Sequence, residues 1–290
     1  MSTSLALMLA GISACLFGLS GVLAKRGLRH IDAQAGSLVV IGTTFAVYLL
    51  SAPLWMRAEY WFTAGFWIFA LNGLIHPMLS MYLSMEAMVR VGPTVAATFT
   101  STAPLFAAAA AVALLGESLN AFIALGTLGA VAGVMVLSWS SGAIPALTRA
   151  ALVFATGAAV VRGMNHVIGK WGIELLPSPF MAGFTSFGVS FAGSLIAYRL
   201  RRGAGAIQLP RAGFGNCAAA GLVIAGAIAC MYGALGSGPV VVVSPIVAVY
   251  PLFTFIFAIA LGDEAPTRQM LTGVALAVGG VVLVSLGLGR

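Results

Sequence analysis

Charged residues punctuate this chain so rarely that the apolar stretches between them set its architecture. Uncharged runs of about 20 residues or more, the length a membrane-spanning helix needs, lie between Asp32 and Arg57, Arg90 and Glu117, Glu174 and Arg199, and Arg268 and Arg290. A longer uncharged stretch from Ala212 to Gly262 is cut by Gly236-Ser237-Gly238-Pro239, a turn signal that makes two helices of it. The same pattern predicts ten spans, near 4–24, 33–55, 64–89, 94–115, 119–139, 147–169, 178–198, 212–235, 240–261 and 269–288. No connection between them is long enough to fold as a separate domain.

The order of motifs repeats. The first copy runs A-M-V-R-V-G-P from Ala87, then T-A-P-L-F, L-L-G-E and G-V-M-V-L-S; the second runs G-A-L-G-S-G-P from Gly233, then V-Y-P-L-F, L-G-D-E and G-V-V-L-V-S. Gly92-Pro93 answers Gly238-Pro239, Pro104 answers Pro251, Glu117 answers Glu264, and Gly126 and Gly133 answer Gly273 and Gly280. The expected fold is therefore an all-α integral membrane protein of two five-helix repeats, residues 1–142 and 143–290. An odd number of spans per repeat inserts the second copy upside down. That is the inverted-topology arrangement with which secondary transporters build a central cavity facing either side.

Composition agrees: mean hydropathy is +1.07, and only 7% of the 290 residues are charged, too few for a soluble domain. The net charge of +7 is scattered over short loops, which fits topology and lipid headgroups and excludes a nucleic-acid partner. Cys15, Cys217 and Cys230 fall inside predicted helices, so neither a disulfide framework nor a metal site is expected, and no cofactor is implied. The first span has no basic segment before it and Lys25-Arg26 after it, which reads as a retained helix. The loops carrying Lys25, Arg26, Arg29, Arg90, Arg149, Arg199, Arg201, Arg202, Arg211 and Arg268 share one side; the other side holds Arg57, Lys170 and Arg290. By the positive-inside rule both termini then lie outside the cytoplasm.

The doubled motifs resemble the ten-helix EamA-type exporters of the drug/metabolite transporter superfamily. The first and sixth helices share its mid-helix glycine and terminal lysine, F-G-L-S-G-V-L-A-K-R-G from Phe17 and R-G-M-N-H-V-I-G-K-W-G from Arg162, which pair Gly18 with Gly163, Lys25 with Lys170 and Gly27 with Gly172. The fourth and ninth share a proline thirteen residues before an acid, Pro104 to Glu117 and Pro251 to Glu264. The resemblance covers the whole chain. It implies export of small metabolites across a bacterial-type inner (plasma) membrane by alternating access, and termini in the cytoplasm, opposite to the charge count; orientation stays open. Within the family the chain looks most like the branch that exports amino acids, aromatic ones in particular.

Polar side chains within spans mark candidate substrate contacts. Arg162, Asn165, His166 and Gly169 share one face of the sixth helix. Arg162 can bind a carboxylate through its planar fork, or hold helices together by pairing with a carbonyl or Glu86. His76-Pro77 kinks the third helix beside a candidate hydrated cavity, and Tyr82 and Glu86 follow it. Ser101 before Pro104, Tyr232, Ser244-Pro245 and Tyr250-Pro251 complete the binding set. Pro77, Pro104, Pro245 and Pro251 are candidate hinges, static kinks being the alternative. Lys25 and Lys170 either snorkel to headgroups or line the pathway. Glu117 and Glu264 are read as caps on the helices that follow them. The glycines of the fifth and tenth helices imply close packing, within the chain or between two copies. Two repeats already complete a cavity, so a working monomer is expected.

The first helix has no acid, which argues against a cation exporter built around one. Glu86, near its span's end, is the only carboxylate expected within a span, so gradient-driven export is expected over proton antiport, although His76 and His166 can titrate near neutral pH. A multidrug exporter of lipophilic cations would need cavity acids or an aromatic cage, and it is the alternative within transport. An intramembrane serine hydrolase would use Ser20 of Gly18-Leu19-Ser20-Gly21 with His76 or His166 as base. No nucleotide-binding loop is present.

Overall fold

The computed structural model describes residues 3–80, 83, 99–138, 149–202, 209–263 and 267–288, and every regular element among them is helical. In chain order these are α1 (Thr3–Gly27), α2 (Ala33–Ser51), α3 (Ala64–Gly73, continued by a wider π-helical turn, Leu74–Leu79), α4 (Ala103–Leu115) and α5 (Ala121–Ser138). The second half supplies α6 (Arg149–Leu175), α7 (Pro179–Arg202), α8 (Arg211–Ser237), α9 (Val240–Ala248 and Tyr250–Ala260) and α10 (Arg268–Gly287). Seven of the helices are long and apolar enough to cross a membrane, and the α3 and α4 segments are shorter but apolar. The side chains directed outward are those lipid would accept: Leu50, Phe62 and Leu200 are more than 80% exposed.

Local chemistry sets the helix ends. Asp32 accepts the backbone N–H groups of Gln34 and Ala35 at 3.0 Å and starts α2. Thr63 and Thr267 do the same for α3 and α10. Gly116 and Gly262 end α4 and α9 with left-handed φ of 66° and 73°, which glycine reaches without strain.

Helix pairing maps onto itself when the halves are exchanged. α1 packs on α8 and on the second segment of α9; α6 packs on α3 and on α4; α2–α8 answers α7–α3, while α2–α7 and α5–α10 are their own counterparts. Glycines permit the close crossings at equivalent positions. A Cβ on Gly18 would sit 2.7 Å from the Thr254 amide nitrogen of α9, and one on Gly163 would sit 2.7 Å from the Ala103 carbonyl oxygen of α4. Across the other crossings hydroxyls donate to neighbouring carbonyls: Tyr48 to Ala225 at 2.6 Å, Thr44 to Gly221 at 2.8 Å, Ser13 to Ala227 at 2.8 Å.

Among the described residues, the α5–α10 seam is the most extensive helix contact. A Cβ on Gly126 would meet the Gly280 carbonyl oxygen at 2.6 Å, and one on Gly133 the Gly273 carbonyl oxygen at 2.7 Å. The glycine stripe is thus used within the chain. Asn120 donates to the Gly287 carbonyl at 2.6 Å and Gln269 to the Val136 carbonyl at 2.7 Å, pinning both ends.

Three expectations need adjusting. α6 runs to Leu175, six residues past its predicted end, because Lys170 and Glu174 form an i,i+4 pair in its last turns. Of the two hinge candidates in α9, only Pro251 stands at the break, which falls at Val249, while Pro245 stays inside the first helical segment. Pro251 heads the second segment as Pro104 heads α4, where a missing N–H costs nothing. Glu117 does not cap the helix after it. Its carboxylate accepts the backbone N–H groups of Val240 and Val241 at 2.7 and 2.9 Å, at the start of α9. The left-handed turn at Gly116 turns the chain so that the acid reaches a neighbouring helix N-terminus. Glu264, Gly92 and Pro93 lie outside the described residues.

At the far end of α9, Arg26 of α1 donates to Asp263 at 2.8 Å and to the Leu261 carbonyl at 3.1 Å, with Arg29 3.5 Å from the same carboxylate. The hydrogen bond from Arg26 holds the Asp263 carboxyl below its ordinary value, partly opposed by desolvation and reinforced by the charges of Arg26, Arg29 and Lys25.

Two outcomes follow from this packing. Leucine at Gly280 forces backbone apart and costs about 1–3 kcal/mol, read as a lower Tm in detergent; Gly279→Leu, whose Cβ meets nothing within 4 Å, stays within about 0.5 kcal/mol. Asp263, titrating below 3.8 when folded, contributes stability that is present above that value and lost as pH falls through the depressed one. Thermal melts taken down to about pH 3 should therefore show a smaller acid-side loss in Asp263→Asn than in the native chain.

Candidate functional site

A single α6 face carries most of the site. Residues 162, 165 and 166 lie one turn apart, so Arg162, Asn165 and His166 project together, while Gly163, rotated away, lets α4 approach. They enter a cavity of about 660 Å³, also lined by Phe17, Ser20, Ala24 and Leu28 of α1, Gly36, Ser37 and Val40 of α2, Cys217, Ile224 and Met231 of α8, and Ser244, Tyr250, Pro251 and Phe255 of α9. His76, Ser101 and Pro104 close it from the first half. The volume lies in the range of small-molecule sites.

The polar floor is organised by specific contacts. Arg162 Nη1 donates to the Tyr250 hydroxyl at 3.1 Å. Its Cζ also lies 5.9 Å from the Tyr250 ring centroid, within cation–π range, and Phe17 packs on the same ring at 6.2 Å. His166 Nδ1 lies 2.8 Å from the Ser244 hydroxyl. Asn165 accepts from Asn72 Nδ2 at 2.9 Å, and the same nitrogen donates to the Tyr232 hydroxyl at 3.2 Å. His76 Nδ1 meets the Ser80 hydroxyl at 2.7 Å, and Ser80 Oγ lies 3.1 Å from the Pro77 carbonyl. Ser20 Oγ donates to the Phe17 carbonyl of its own helix at 2.8 Å, and each histidine is paired with a different serine, so no Ser20–His dyad forms among the described residues.

Among the described residues, one charge faces this space. Arg162 is the sole charged residue among the described lining residues. The described acids have partners elsewhere: Asp32 on the start of α2, Glu59 beside Arg57 at 3.5 Å, Glu117 on α9, Glu174 beside Lys170 at 3.3 Å, and Asp263 on Arg26. Among the described residues no three His, Cys, Asp or Glu side chains gather as metal ligands.

The cavity is closed at one end and continues toward the other. Below Ser244, Val240, Val241, Val242 and Val243 are at most 1% exposed. There Lys170 Nζ donates to the Leu235 carbonyl at 2.9 Å and the Gly238 carbonyl at 3.3 Å. Glu117 grips the start of α9 beside it. The α8–α9 turn is thus held by a cation at a helix C-terminus and an anion at a helix N-terminus, each matched to the local backbone dipole. The lining runs the other way, to Leu28, Gly36 and Cys217 near the Arg26–Asp263 contact.

Of the residues expected from sequence, Arg162, Asn165, His166, His76, Ser101, Ser244, Tyr250, Pro104 and Pro251 line this cavity. Tyr232 is fully buried behind it, packed edge-on against Phe69 with centroids 5.3 Å apart. Pro77, Pro245, Lys25 and Lys170 are not among the lining residues. Tyr82 and Glu86 lie outside the described residues. Asn72, which sets the Asn165 amide, was not anticipated, although it stands one turn before His76 in an apolar helix and carries the same signal.

The EamA-like transporter family matches both halves of the sequence, over residues 4–139 and 149–286. No curated protein matches it. A crystal structure of a protein 18% identical to the chain superposes on it with a TM-score of 0.83 over 98% of each chain, so the two share a fold. With two matched domains covering nearly its whole length, the chain belongs to the EamA-like transporter family and is a multi-pass membrane transporter of small solutes.

Proposed function

We propose that this transporter exports small metabolites, amino acids first and aromatic ones in preference, by alternating access to the central cavity. The observation that carries the reading is Arg162: a guanidinium in a mostly apolar cavity, steadied by Tyr250 but bound to no carboxylate among the described residues. A desolvated cation without a counter-ion is costly, and an anionic substrate removes that cost while the ligand is bound. The Phe17, Tyr250 and Phe255 rings offer an apolar wall for an aromatic body. A lipophilic-cation exporter is disfavoured by the same charge.

Ten spans, in two five-span repeats of opposite orientation at 1–142 and 143–290, complete the reading, with the working unit a monomer in a bacterial-type inner membrane. Access would alternate by rocking at the start of α4 and of the second segment of α9, which Pro104 and Pro251 head. In this scheme the Glu117 contact belongs to the closed end. It joins the two halves, so opening that end separates Glu117 from α9.

Arg162→Ala should lower flux of carboxylate substrates in proteoliposomes at least tenfold, about 1.4 kcal/mol, and change flux of their methyl esters little. Equal losses for acid and ester would remove the assigned role. Glu117→Ala gives up about 1 kcal/mol of capping. Thiol labelling of Val243→Cys, with the native cysteines replaced by alanine, should then rise severalfold. Unchanged labelling would mean that Glu117 does not hold the closed end.

A further inference from the structure

The hydrogen-bonding inventory of the floor says more about the substrate than its charge alone. Arg162 spends one N–H on Tyr250 and keeps the rest of its fork. Asn165 spends its oxygen on Asn72, leaving its two N–H donors for the cavity. These two side chains, three residues apart on α6, form a donor pair that fits a carboxylate. His76 Nδ1 shares a 2.7 Å hydrogen bond with the Ser80 hydroxyl, which leaves Nε2 as the polar atom of the ring that can meet a ligand.

An amino acid brings an ammonium group as well. In this floor it meets no carboxylate among the described lining residues, and it lies in the same cavity as the Arg162 guanidinium. A buried cation without an opposite charge loses hydration that neutral acceptors replace only in part. Two cations sharing a low-dielectric space also repel. A hydroxyl or keto oxygen in place of the amine removes both penalties, and a hydroxyl, which both donates and accepts, can pair with His76 Nε2 in either tautomer.

We infer that the site takes aromatic monocarboxylates whose second polar group is neutral, aryl-alkanoates and aryl 2-hydroxy acids, more tightly than the amino acids of the same carbon skeleton. This rests on the carboxylate reading of Arg162. The apolar side chains on the cavity wall, Val40, Ile224 and Met231 among them, accept the shared aromatic body equally in each case.

The test is a matched series bound to the purified full-length chain: 3-phenylpropanoate, 3-phenyllactate, phenylalanine and phenylalanine methyl ester. Both deaminated acids should bind the native chain about tenfold more tightly than phenylalanine, and the ester more weakly still. His76→Ala should reduce phenyllactate to the level of phenylpropanoate, and Arg162→Ala should abolish the preference for acids. Phenylalanine binding as tightly as the deaminated acids, or more tightly, overturns this inference and leaves amino-acid export standing. The ester binding best, or none of the acids binding, overturns both. The series on the native chain decides the matter even if a variant fails to fold.

Discussion

Hydrocarbon offers no hydrogen bonds, and that constraint organises nearly every polar contact in this protein. Tyr48, Thr44 and Ser13 each place a hydroxyl on a carbonyl of α8, and Ser186 places one on Phe69 of α3. Asn120 and Gln269 spend their amides on the seam between α5 and α10. Lys170 and Glu117 saturate the exposed backbone of the α8–α9 turn. Among the described residues, the polar side chains that face the cavity gather chiefly on one face of α6 and opposite it on α9.

Much of this was legible from the order of residues. Long uncharged runs located the helices, and the doubled glycine, proline and acid motifs located the two halves. Gly18 and Gly163 turned out to serve equivalent crossings. Where sequence reasoning missed, partners distant in the chain decided the outcome. Glu117 lies 123 residues from Val240, and nothing local distinguishes capping that helix from capping its own. Of the two prolines read as hinge candidates in the ninth helix, Pro251 stands beside the break and Pro245 inside the first segment. Tyr232, a candidate contact by sequence, is hydrogen-bonded by Asn72 and packed on Phe69 behind the cavity. Asn72 itself gave a readable signal, a lone amide one turn from His76.

The pairing of helices is symmetric while the chemistry inside is not. Phe17 stands in α1 where α6 has Arg162, Ser20 where it has Asn165, and Gly21 where it has His166. α1 thus presents smaller or less polar side chains where α6 presents Arg162, Asn165 and His166, and Phe17, Ser20 and Gly21 face the same space as they do. A duplicated fold can hold two unlike helix faces at equivalent positions without disturbing the crossings that hold the bundle together.

The α4 helix carries Glu117 just beyond its tip. Its 13 residues make a rod of about 20 Å at 1.5 Å per residue. A tilt of about 10° at Pro104 would displace the tip by about 3 Å, enough to part the carboxylate from both amides of α9. Were access to alternate as proposed, the helix would work as a lever that multiplies a slight change in backbone angle at Pro104 into a larger displacement at its tip.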